Sequence, residues 1–69
     1  MKAKDLRDLS NDELADRLAD TRRELFNLRF QSATGALEDI SRLKLTRREI
    51  ARILTVQQER LTSAARAEG

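Results

Sequence analysis

From residue 10 to residue 68 this chain contains a single helix-breaking residue, Gly35, and proline is absent throughout. That feature limits the fold more than any other. An all-β domain needs turn residues every few positions, and two glycines in 69 residues cannot supply them. What can form is a pair of long helices either side of one break. The expected architecture is all-α: an antiparallel two-helix hairpin, coiled-coil-like, with a short N-terminal helical turn. It occupies residues 1–69 as a single small domain. The expected bounds are a helix over about residues 10–33, a turn at 34–39, a helix over about 40–62 and a frayed tail at 63–69.

Local signals place the ends. Ser10 and Glu13 have the spacing of a capping box, and Leu9 and Leu14 that of a hydrophobic staple. Asp12 and Glu13 put negative charge at the positive end of the helix dipole. Gly35 can take the left-handed conformation that closes a helix. Asp39 or Ser41 can cap the next one. A connection this short makes the two helices antiparallel neighbours.

At ~100° per residue, Leu14, Leu18, Leu25 and Leu28 fall on one side of the first helix, with Thr21 and Ser32 in the same seam. Leu43, Ile50, Ile53, Leu54 and Leu61, with Gln57, form the facing stripe on the second. Leu45 and Val56 point off that seam. Phe26 and Phe30, an i, i+4 pair, lie off the first stripe together with Ala15, Ala19 and Ala33. Either Leu6 and Leu9 fold back over the aromatic pair, or it is a contact surface for another macromolecule.

The chain has neither His nor Cys, and so lacks the usual general base, thiol nucleophile and soft metal ligands. Each Asp and Glu has a cap, an ion pair or solvent to account for it. No enzyme activity, cofactor or metal site is expected. No basic-then-apolar signal segment opens the chain, and no run approaches the ~18 apolar residues that cross a bilayer. The expected location is cytoplasmic.

The net charge of +2 conceals an uneven distribution. Residues 1–35 carry seven basic and seven acidic groups, whereas residues 40–60 carry six basic and two acidic. Eleven of the fourteen basic residues are Arg, whose planar fork suits phosphate. Lys44, Arg48 and Arg52 recur every four residues opposite the apolar stripe, with Thr55 on the same line, while Arg47 flanks the core. Such a ridge, about 6 Å per step, fits a nucleic-acid backbone. With no Asn or Gln among these residues, shape-directed binding to folded RNA fits better than base reading. The competing interpretation is a solvated charged face.

In sequence, Leu25-Phe26-Asn27-Leu28-Arg29-Phe30-Gln31, then Ala33-Thr34-Gly35 with Leu37-Glu38, then Arg47-Arg48-Glu49-Ile50-Ala51-Arg52-Ile53 with Thr55-Val56, resemble the bacterial large-subunit ribosomal protein twenty-nine family. The opening Leu6-Arg7 and Leu9-Ser10 fit as well. The resemblance covers about residues 3–60. It implies a helical hairpin that binds large-subunit (23S-type) rRNA near the nascent-chain exit of the peptide tunnel and supports translation as a structural component of the ribosome. It implies large-subunit protein twenty-three as a neighbour. Carried over by position, the rRNA contacts are Arg47, Arg48, Arg52 and Thr55, with Arg29 and Gln31 near the hairpin end. Phe26 and Phe30 become a packing face toward rRNA or the neighbouring protein. The sequence departs from the family pattern at Asp39-Ile40-Ser41, where an Asn-Pro or similar pair often stands, and in the tail from Leu61.

A different class remains open on the leucine spacing alone: a homodimeric coiled-coil adaptor without nucleic-acid binding. Thr21, Ser32 and Gln57 interrupt its seam, and the break at Gly35 favours a closed hairpin.

Overall fold

A computed structural model describes residues 2–68, with side chains described through Ala64. Three helices follow in order: α1 (Ala3–Arg7), α2 (Asn11–Ala33) and α3 (Ser41–Glu68). No strand occurs among the described residues. Helices α2 and α3 pack side by side, and α1 packs on α3. The molecule is a rod about 51 Å long and 17 Å across.

The ends form where the local chemistry favours them. The Ser10 side chain accepts from the Glu13 amide at 3.1 Å, and the Glu13 carboxylate accepts from the Ser10 amide at 3.0 Å. Both bonds of the capping box are thus made. The Ser10 amide, then its hydroxyl, hold the Glu13 carboxyl below its ordinary value. Leu9 packs against the Leu14 cluster, completing the staple. At the other end of α2, the Ala36 amide donates to the Gln31 carbonyl at 2.8 Å and the Gly35 amide to that of Ser32 at 3.2 Å. This is the Schellman closure, and it needs the positive φ of 79° that Gly35 adopts. Asp39 provides the capping oxygen before α3: its carboxylate accepts from the Ser41 hydroxyl at 2.6 Å and the Ser41 amide at 3.0 Å.

The core is small and centred where all three helices meet. Leu6 of α1, Leu14 of α2, and Ile53 and Val56 of α3 are buried together, with Leu9 and Leu18 packed against them. Leu25, Leu28 and Thr21 are buried along α2. The Thr21 hydroxyl is satisfied by the Arg17 carbonyl at 2.7 Å. Helix α1 is too short to persist alone. Burial of Leu6 and the fork of Arg60, which donates to the carbonyls of Arg7 and Leu9 and to Asn11 Oδ1, hold it in place.

The structure redraws the seam in several places. Val56, read as pointing off the stripe, is only 2% exposed, because α1 covers that side of α3. Leu61, read as a stripe residue, is 67% exposed, since α2 begins at Asn11 and offers nothing beyond Arg60 to cover it. Leu54 and Ser32 are also exposed, and Thr46 is buried instead. The leader does not fold over the aromatic pair: Leu6 turns to Ile53 and Val56, leaving Phe26 70% and Phe30 65% exposed. Helix α3 extends to Glu68, past the expected bound of about residue 62, consistent with an Ala-rich stretch lacking Gly or Pro before residue 69. Residue 69 lies outside the described residues.

Candidate nucleic-acid interface

The charges of α3 divide into two groups once the helices are packed. Arg42 reaches Glu24 of α2 at 3.7 Å, and Arg60 is committed to the α1–α2 connection. Both acids of residues 40–60 are paired across the fold. Glu49 accepts from Arg17 at 2.6 Å and Glu59 from Arg7 at 3.2 Å. Burial pushes the Glu49 carboxyl up, but its ionic partners, Arg17 among them, outweigh this and hold it below its ordinary value of 4.5. It is therefore a carboxylate at neutral pH, already engaged from the other side. Of the six basic residues, Lys44, Arg47, Arg48 and Arg52 remain.

All four are exposed, and none forms an ion pair or side-chain hydrogen bond with a described residue. At ~100° per residue, Lys44, Arg48 and Thr55 lie opposite the buried Ile53, with Arg52 at one edge and Arg47 at the other. The fold thus brings Lys44, Arg48, Arg52 and Thr55 onto one outer surface, with Arg47 at its margin. Thr55 differs in kind: its hydroxyl donates to the Ala51 carbonyl at 2.8 Å, so its hydrogen is already used. In that rotamer it can accept but not donate to a phosphate oxygen.

The two remaining candidates are not brought to this surface. Arg29 and Gln31 are exposed on the last turns of α2, about 160° apart around that helix. The Gln31 carbonyl is built into the turn, accepting from Ala36, Leu37 and the Thr34 hydroxyl. Phe26 and Phe30 lie on the outer side of α2 nearer Arg29. The sequence reading missed Arg22, exposed and unpaired on that same side. The i, i+4 relation to Phe26 could have revealed it.

Four exposed cations along an α-helix, with the adjacent acids engaged elsewhere, form a linear positive surface. Its guanidinium and ammonium groups are donors of the kind that suit a row of phosphates. Among the described residues no group of His, Cys, Asp and Glu is placed to hold a metal ion. No helix among them is long and apolar enough to cross a membrane.

Comparison with known proteins gives a consistent result. The family described as Ribosomal L29 protein matches residues 4–60. A protein of Persephonella marina named large ribosomal subunit protein uL29 is 53% identical over 68 residues, covering 99% of this chain and all of that protein. The proteins of the same name from Rubrobacter xylanophilus and Maridesulfovibrio salexigens are 58% and 57% identical over 60 residues. Those two alignments cover 87% of this chain, and 90% and 94% of the respective relatives.

Proposed function

Because the chain belongs to the ribosomal L29 protein family, we propose that it is a non-catalytic structural component of the large ribosomal subunit and binds large-subunit rRNA through the outer surface of α3. Lys44, Arg47, Arg48 and Arg52 contact backbone phosphates, Thr55 accepts a hydrogen bond beside them, and Arg29 and Gln31 extend the contact near the hairpin end. It works in the cytoplasm, on the ribosome, near the nascent-chain exit. Large-subunit protein twenty-three is its protein neighbour there. The observation that carries this reading is the sorting of charge in residues 40–60: two cations and both acids are consumed inside the fold, and four cations are left outside it.

The rRNA also accounts for the thin core. A rod with so few buried side chains gains stability from any partner that binds only its folded form. The closed hairpin leaves less for a homodimeric coiled coil, because Leu14, Leu25, Leu28 and Ile53 of its stripes are buried within the chain.

Co-sedimentation with purified ribosomal subunits across a salt series tests the reading. Retention on the large subunit, absence from the small one, and release only as salt is raised are expected. Recovery in the free fraction at low salt would refute it.

A further inference from the structure

The two flanks of the hairpin differ. One is closed: α1 lies against it, and the pairs Arg7–Glu59, Arg17–Glu49 and Arg42–Glu24 stitch it together. The other exposes Phe26 and Phe30, with Arg22 and Arg29 among them. Arg22 and Phe26 are i, i+4; Phe26 and Arg29 are i, i+3; Phe26 and Phe30 are i, i+4. All are therefore surface neighbours within about three turns. Neither Arg22 nor Arg29 pairs with a described acid. The acids of this part of α2, Asp20 and Glu24, fall on the other side of the helix at ~100° per residue. In an antiparallel pair, Arg47 lies toward the same flank, so the surface is continuous with the α3 ridge.

We infer that this flank of α2 is a second RNA contact, in which unpaired bases stack on Phe26 and Phe30 while Arg22 and Arg29 hold the adjoining phosphates. The assignment rests on the rRNA-binding reading above and adds a different kind of contact to it. Alternating arginine and exposed aromatic side chains is the arrangement that binds single-stranded nucleotides. An apolar protein surface is a poorer match, because docking it on Phe26 would strip water from two arginines and give them no acid in return. The α3 ridge has no aromatic side chain and can hold only the backbone. The α2 flank therefore selects for an unpaired loop or bulge beside the helix that the ridge tracks.

The chain contains no Trp, so Phe26→Trp introduces a unique fluorophore at a position exposed enough to accept it. Titration with in vitro transcribed large-subunit rRNA is expected to quench that fluorescence. Phe26→Ala/Phe30→Ala is expected to weaken transcript binding at least about tenfold with an unchanged salt slope. Arg22→Gln is expected to lower the slope by about one unit. Circular dichroism of each variant checks that the helices are retained. Wild-type affinity and slope in these variants, alongside weakened binding when the α3 ridge is neutralised, would overturn the flank assignment and leave the ridge intact. Intact transcript binding with lost retention on the whole subunit would assign the flank to a protein instead. Failure of the unmodified chain to bind the transcript at all would remove the ridge reading and this one together.

Discussion

Replacing Arg47, Arg48 and Arg52 together by Gln is expected to reduce the affinity for large-subunit rRNA roughly a thousandfold at low salt. Each hydrogen bond to a charged group is worth about 1.5–3 kcal/mol, and three at the weak end reach that factor. The logarithmic salt slope should fall by about two to three units, near one per lost phosphate contact. Helicity should be untouched, because these side chains are exposed and make no ion pair or side-chain hydrogen bond with a described residue. Glutamine is a good helix former, so the backbone is not penalised. Filter binding over a salt series, with circular dichroism on the same samples, measures both. A slope equal to that of the unmodified chain would place the phosphate contacts elsewhere.

Ile53→Ala is expected to cost about 2–5 kcal/mol, a large share of the stability of a domain this small. Ile53 is fully buried where all three helices join, so the cavity is lined by Leu6, Leu14 and Val56. Both the α2–α3 packing and the seat of α1 depend on it. In a urea titration followed by helical ellipticity, the variant should unfold at much lower denaturant, or be largely unfolded without any. Leu61→Ala, which also removes a large aliphatic side chain from α3, should change stability by no more than about 0.5 kcal/mol, because Leu61 is two-thirds exposed. Equal losses at the two positions would contradict the observed core. Added rRNA should restore helicity to Ile53→Ala if its binding surface is formed only in the folded chain.

The contrast between those two residues shows what the sequence could and could not reveal. The two long helices, both ends of α2 and the start of α3 were legible, because Ser10-x-x-Glu13, Gly35 and Asp39 act locally and the absence of Pro leaves no competing break; the far end of α3 carries no such signal and lies beyond the expected bound. The split between core and surface on α3 was less legible. A single angular estimate treats α3 as facing one partner, but α1 packs on it as well as α2. That second contact buries Val56, while Leu61 projects past the start of α2 into solvent.

The candidate interface was legible in part for a similar reason. The four-residue recurrence of Lys44, Arg48 and Arg52 is a property of the helix itself and needs no tertiary information. Which cations are spent inside the fold is a tertiary matter. Arg42 and Arg60 look like members of the same basic segment until Glu24 and the carbonyls of Arg7 and Leu9 are placed beside them. Glu49 and Glu59 look like neutralising partners for the ridge until Arg17 and Arg7 reach them from α2 and α1. Long-range pairing thus removed charges of both signs from residues 40–60 and left a purely positive surface.

The placement of rRNA on that surface can be tested without removing a single charge. Ala51 is exposed among Lys44, Arg48 and Thr55 on the outer side of α3, and the chain contains no Cys. Ala51→Cys therefore gives one attachment point for a short photo-activated cross-linker within the ridge. After incorporation into large subunits and irradiation, the adduct should form with large-subunit rRNA. An adduct formed only with protein, in subunits that have incorporated the variant normally, would contradict the assignment of the α3 ridge to rRNA.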